Sequence, residues 1–220
     1  MSEVLKAFKF DGEPVTKEPY GSGHINSTFL VVTDKNKKYI LQKINNKIFP
    51  NVEGLMNNIM LVTEHLKKKT DDSRKVLSIV KTVDDKPFAV VDGEYWRAYD
   101  FVEDSICLQL PENNDDFYES AVAFGSFAQE LSDFPVDKLI EVIPNFHNTP
   151  DRFKKFHEVL KKDPLGRAAL VQDEIKFCLE REEEMGTLQR LRNEKVLPDR
   201  VTHNDTKLNN VLLDKETRKP

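Results

Sequence analysis

Arg200-Val201-Thr202-His203-Asn204-Asp205-Thr206-Lys207-Leu208-Asn209-Asn210-Val211-Leu212-Leu213 is the stretch that decides how the rest of this 220-residue chain is read. It has the form His-x-Asp-x-Lys-x-x-Asn, entered and left by apolar residues. In that order and spacing an Asp meets an acceptor hydroxyl, and a later Asn offers an amide oxygen to a metal. The chemistry this predicts is phosphoryl transfer from a nucleotide to an alcohol. Asp205 is the candidate base, Lys207 a cation beside the moving phosphoryl group, Asn210 the metal ligand, and His203 a buried residue bracing the loop. A surface turn rich in Asn and Asp accounts for the composition of the segment. It does not account for four matched positions between two apolar segments.

Upstream, residues 20 to about 102 read as a β-rich unit carrying one helix. Thr28–Thr33 and Lys38–Ile44 flank the polar turn Asp34-Lys35-Asn36-Lys37, which predicts a hairpin. From Val52 to Lys68, Leu55, Met56, Ile59, Met60, Val62 and Leu66 recur at helical spacing. Val76–Val83, Phe88–Val91 and Tyr95–Val102 read as short strands. Before the hairpin, Gly21-Ser22-Gly23-His24-Ile25-Asn26 can bring backbone amides to phosphate oxygens, with Ser and Asn as further donors. Lys43 lies on a strand from which a lysine would reach those phosphates. It needs a carboxylate on the following helix, for which Glu53 is the better candidate and Glu64 the weaker. Asp100-Phe101-Val102 forms the expected hinge, whose backbone groups would read an adenine edge.

After Val102 the periodicity turns helical, with helices expected over 115–132, from Thr149 toward Lys161, and as one long element over 167–194. The fold class expected is α+β: an antiparallel-sheet lobe over 1–102, then a mostly helical lobe over 103–220 carrying the loop, with a ligand cleft between them. Hydrophobic residues make up 39% and charged residues 32%, which excludes wholesale disorder. A formal net charge of −5 with no basic face argues against a nucleic-acid partner. The absence of a long apolar run argues against a membrane partner and for a cytoplasmic protein. Cys107 and Cys178, in apolar surroundings, are expected to be buried free thiols.

Taken together, Tyr20–Asn26, Tyr39–Asn45, Tyr95–Phe101, Pro144–Thr149 and Thr202–Asp205 resemble the aminoglycoside phosphotransferase/choline kinase superfamily, and within it the bacterial N-acetylhexosamine 1-kinases. The resemblance implies a protein-kinase-like two-lobe fold, ATP and Mg²⁺ as cofactors, and transfer of the γ-phosphate to a sugar substrate, at the anomeric hydroxyl of an N-acetylhexosamine. It leaves open another acceptor on the same fold (an aminoglycoside, choline or homoserine) and a non-catalytic nucleotide-binding module. Family members carry a further Asp-x-Asp metal motif beyond the catalytic Asn. Here the sequence stops at Pro220 first, and Asp214 is too close to Asn210 to stand in for it. The expectation is a C-terminally truncated chain with an incomplete helical lobe, which transfers phosphate poorly or not at all alone.

Overall fold

The central strand of the sheet is buried on both faces, and that organises the first half of the chain. In the computed structural model, which describes residues 2–21, 23 and 25–220, a short helix α1 (Glu3–Lys6) precedes β1 (Pro14–Pro19), β2 (Ser27–Thr33) and β3 (Lys38–Ile44). Helix α2 (Val52–Lys67) follows, then β4 (Ile79–Val80), β5 (Ala89–Val91) and β6 (Glu94–Asp100). The sheet is antiparallel throughout, in the order β1-β2-β3-β6-β4, with β5 pairing farther along β6.

Side chains alternate between faces along a strand, so the register assigns every residue a side. Tyr39, Leu41, Val31 and Ala98 share a core with Val4, Leu5 and Phe8 from α1 and its flank. Ile44 on the opposite face packs with Val52 and Met56 of α2, joined by Ile79 and Tyr95. The Asn51 side chain accepts the Gly54 N–H at 2.8 Å and so caps α2.

The remaining elements are β7 (Ser105–Ile106), α3 (Asn114–Glu130), α4 (Thr149–Lys162), α5 (Gln172–Leu179), α6 (Glu182–Met185), α7 (Thr187–Asn193) and β8 (Leu213–Asp214). A capping box opens α3: Asn113 accepts from the Asp116 N–H, and the Asp116 carboxylate accepts from the Asn113 N–H. Asp116 is buried and also takes the Arg218 guanidinium at 2.8 Å. Burial pushes this carboxyl up, but Arg218 and the backbone N–H groups of Glu112 and Asn113 outweigh it and bring it below its ordinary value.

The chain groups into two units, residues 1–142 with 200–220, and residues 143–199. The division expected after Val102 therefore differs from this grouping, because the return of the chain at Arg200 brings the His203–Asn210 segment into the unit that holds the sheet. Within the first unit, Leu66 of α2, Val76, Leu131, Phe134 and Val201 form one core.

Several local expectations need correcting. The expected strand over 76–83 shrinks to β4, because Val76 joins the core with Leu66, while Thr82 closes a turn with Lys86. The single helix expected over 167–194 is broken into α5, α6 and α7. At the first break the Arg181 N–H bonds the Cys178 carbonyl, and its guanidinium turns back to the Phe177 carbonyl at 2.9 Å, so the side chain satisfies the acceptor a continuing helix would have used. None of α5, α6 and α7 holds a buried residue, so little packing opposes such breaks. Cys107 is exposed and Cys178 half-buried, against the expectation of two buried thiols. No helix among the described residues is long and apolar enough to cross a membrane.

The two-faced burial of β3 makes a quantitative prediction. Leu41 is fully buried, so Leu41→Ala should cost about 2–5 kcal/mol by denaturant unfolding. A loss below ~1 kcal/mol would show that the core shared by the sheet and α1 does not carry this stability.

Candidate active site

The His203–Asn210 segment is held at both ends by burial. Val201 sits in the core with Leu66 and Leu131, while Val211 and Leu213 are buried on the far side. Leu213–Asp214 pairs with Ser105–Ile106 as the two-stranded β7–β8 ribbon. Arg74 ties this ribbon down, reaching Asp214 at 2.9 Å and the carbonyls of Glu103 and Asp104 at 3.1 Å. The Asp214 carboxylate accepts from the Thr217 and Glu216 N–H groups and is held far below its usual range, first by Thr217 and then by Arg74. It is occupied as a turn residue.

Between these anchors the chain turns sharply, with Asn204 at φ 65° and a 3₁₀ turn over Leu208–Asn210. The turn brings Asp205, Lys207 and Asn210 together. Asn210 Nδ2 donates to the Asp205 carboxylate at 2.9 Å and to its carbonyl at 2.8 Å, and Lys207 Nζ lies 3.3 Å from the same carboxylate. Asp205 is consequently lowered from its ordinary value, chiefly by the Asn210 hydrogen bond and then by the Lys207 ammonium. Asp205 Oδ1 and Asn210 Oδ1 have no protein partner among the described residues, and both side chains are exposed.

His203 was expected to be buried and is exposed. Among the described residues its ring contacts are the Phe124 and Phe127 rings of α3, at centroid distances of 5.2 and 6.0 Å. It still braces the loop: Nδ1 accepts the Asp205 N–H at 3.4 Å, which requires the proton to sit on Nε2. Next to the motif, Asn209 Nδ2 donates to Gln109 at 3.1 Å, and its backbone carbonyl accepts from the Cys107 thiol at 3.0 Å.

The sequence-predicted phosphate-binding residues are placed less uniformly. Ser22 and His24 lie outside the described residues. Gly21 adopts φ 75°, where a side chain would be strained, and nothing crowds the position of its missing Cβ. Gly23 is likewise open. Asn26 Oδ1 accepts the Asn45 N–H at 3.0 Å, which ties Asn26 to the residue just after β3. At the expected hinge, the Asp100 N–H bonds Ser78, the Phe101 N–H bonds Lys38, and the Val102 carbonyl accepts from Ser105; the Val102 N–H has no partner among the described residues.

Lys43 departs from expectation. Strand parity puts it on the side of Leu41 and Tyr39, the face that α1 covers, and it pairs there with Glu94 of β6 at 3.3 Å. The expected partner Glu53 is exposed in the first turn of α2 and makes no ion pair among the described residues, and Glu64 is likewise exposed and unpaired. On the α2 face stand Gln42, Arg97 and Tyr99, which the sequence reading passed over. Arg97 donates from Nε at 3.1 Å and Nη2 at 2.9 Å to Gln42 Oε1; the Tyr99 hydroxyl donates to the same oxygen; and Gln42 Nε2 donates to Thr28 at 2.9 Å. Counting parity from the hairpin turn would have separated Gln42 from Lys43.

A family profile described as the phosphotransferase enzyme family (APH) matches residues 16–219. The chain belongs to that family. Among solved structures, spectinomycin phosphotransferase in complex with ADP and spectinomycin is 15% identical with a TM-score of 0.53, covering 98% of this chain and 65% of its own. Its AMP-bound form gives 13% and 0.51, covering 96% and 64%. An aminoglycoside phosphotransferase from Alicyclobacillus acidocaldarius is 14% identical with a TM-score of 0.48, covering 73% and 43%. At such identities the likeness to spectinomycin phosphotransferase concerns the fold alone, the mixed α+β arrangement of antiparallel sheet and helices. This phosphotransferase-family chain spans less than two thirds of the length of each. A separate depression of about 690 Å³ lies within residues 143–199, lined by Asn148, Asp151, Lys154, Gln189, Arg190 and Asn193 among others, and includes none of the predicted site residues.

Because the Asn210 hydrogen bond is the main cause of the lowered Asp205 carboxyl, Asn210→Ala should move its pKa upward, toward the model-peptide value of about 3.9. Carbon-detected NMR titration of the Asp205 carboxyl measures this. An unmoved midpoint contradicts the geometry described.

Proposed function

We propose that this protein is an ATP-dependent kinase that transfers the γ-phosphate to an alcohol, with the anomeric hydroxyl of an N-acetylhexosamine as its acceptor. One observation carries the reading: the Asp205 carboxylate is exposed, with Asn210 at 2.9 Å and Lys207 at 3.3 Å. Family membership supports phosphotransferase chemistry in general. The resemblance of the segments around Gly21–Asn26 and Pro144–Thr149 to the hexosamine-kinase branch supports the sugar.

Phosphoryl transfer passes through a loose transition state and asks the protein mainly for alignment and charge compensation. With its pKa lowered, Asp205 is a carboxylate at neutral pH and accepts a hydrogen bond from the acceptor hydroxyl. The hydroxyl oxygen forms the new bond to the γ-phosphorus while the bond to the β,γ-bridging oxygen breaks, and ADP leaves with that electron pair. The hydroxyl proton passes to Asp205 late, as the oxygen becomes acidic, so a weakly basic carboxylate suffices. Lys207 places a positive charge beside the equatorial phosphoryl oxygens and keeps Asp205 oriented.

The donor set at this loop fits Mg²⁺. The Asn210 amide spends its nitrogen on the Asp205 carbonyl and Oδ2, which leaves the Asn210 Oδ1 and the Asp205 Oδ1 without a protein partner among the described residues. Hard oxygen donors of this kind suit that cation; Asn210 and Asp205 would hold it, and it would supply neutralisation of phosphate charge. No group of three or more His, Cys, Asp and Glu among the described residues forms a closed protein cage.

The test is ADP release by the complete gene product across a panel of sugars, aminoglycosides, choline and homoserine. Release should depend on an N-acetylhexosamine, and Asp205→Asn should lower kcat by about 10²- to 10⁴-fold with nucleotide affinity nearly unchanged. Turnover with an amine alcohol and none with any N-acetylhexosamine would reassign the acceptor. Magnesium-independent ATP binding without turnover on any alcohol would make the protein a nucleotide-binding module.

A further inference from the structure

We propose that Arg97 of β6, rather than any lysine of β3, is the cation that grips the nucleotide phosphates in this protein, with Gln42 and Tyr99 as its bracket. The inference rests on the phosphoryl-transfer reading above and adds a residue to it.

The first support is the side of the sheet. In a strand buried on both faces the register leaves no freedom: Gln42 opposes Arg97, Ile44 opposes Tyr95, and both pairs point to the face on which α2 packs. That face is the one continuous with the loop, since Leu66 of α2 shares a core with Val201, two residues before His203. Lys43 points the other way, onto the face closed by α1, and its charge is already met by Glu94.

The second support is the unbalanced charge. The Arg97 side chain is half-buried, and no carboxylate pairs with it among the described residues. Two of its N–H groups are spent on one neutral amide oxygen; among the described residues Nη1 meets the Met56 sulfur at 4.0 Å, and the guanidinium carbon lies 5.5 Å from the Tyr99 ring centroid, neither of which carries a negative charge. Taking a guanidinium partly out of water without an anion is costly, because an amide dipole does not cancel a full charge. A phosphate oxygen would supply the missing charge.

The third support is the bracket. Gln42 Oε1 fixes the guanidinium plane, and the Tyr99 hydroxyl donates to the same oxygen; burial pushes the Tyr99 pKa up, so it keeps its proton. Gln42 in turn is held by Thr28, two residues after Asn26 in the strand that follows the glycine segment. A guanidinium held in one plane with free N–H groups suits phosphate, since its donors match two oxygens at once.

The test is calorimetric titration of the complete gene product and its variants with ATP, ADP and adenosine. Arg97→Gln should weaken ATP and ADP binding by about 10- to 100-fold, the loss of one charge-assisted contact, and leave adenosine binding within about twofold. Lys43→Ala should leave all three unchanged. The double variant Gln42→Lys/Arg97→Gln, which returns a cation to the same face, should recover at least part of the ATP affinity. If adenosine binding falls alongside ATP in Arg97→Gln, the double variant decides: recovery of ATP binding supports the assignment, and no recovery overturns it. If the parent chain binds ATP and Lys43→Ala alone weakens it, the assignment to Arg97 is wrong while the kinase reading stands. If the parent chain binds no nucleotide, that reading fails and the assignment with it.

Discussion

Every placement that matters in the first unit descends from β3 being covered on both sides. Leu41 and Ile44 lie three residues apart and so point to opposite faces of the strand, and both are almost wholly removed from water. Helix α1 closes the side of Leu41, and α2 closes the side of Ile44. Slipping the register by one residue would drive Lys43 and Gln42 to exchange faces and unpack two cores together, so the register is strongly specified. The direction in which each polar residue of this strand points is thus a consequence of apolar packing, settled by groups that touch no ligand.

The His203–Asn210 segment obeys a complementary logic. It is short, mostly exposed and contains a positive φ at Asn204, features that would leave an unsupported loop free to sample many shapes. Val201 on one side and Val211 with Leu213 on the other pin its ends by burial. The Asn210 amide then bridges the carbonyl and the carboxylate of Asp205. Rigid ends and an internal polar strut let three chemically useful side chains stay together without a surrounding core, which also leaves them accessible to a substrate.

Much of this was legible in the sequence, for reasons that can be stated. The hairpin was read from apolar runs around Asp34–Lys37, and β3 spans Lys38–Ile44 as expected. Helix α2 and helix α4 fall within a residue of their expected ends because Asn51 and Asn148 cap them with side-chain oxygens. The meeting of Asp205, Lys207 and Asn210 is local and follows from one tight turn. The face and partner of Lys43 were not legible because a strand buried on both faces carries no polar-apolar alternation; Ile40, Leu41 and Ile44 are all apolar, so the pattern does not say which residues face α1 and which face α2. Its partner Glu94 is set by the β3–β6 register, a pairing across 51 residues that no local signal encodes. His203 was expected to be buried as a brace of the loop, yet it is exposed, and among the described residues the Phe124 and Phe127 rings of α3 stand against it.

The central claim is that the α2 side of the sheet and the Asp205 loop face one common nucleotide. A crystal structure of the chain with a non-hydrolysable ATP analogue and Mg²⁺ tests it most directly. The account predicts the triphosphate on the face of Gln42 and Arg97, with its terminal group and the cation against Asp205 and Asn210. A triphosphate lodged beside Lys43 and Glu94, or bound with the Asp205 loop uninvolved, would contradict it.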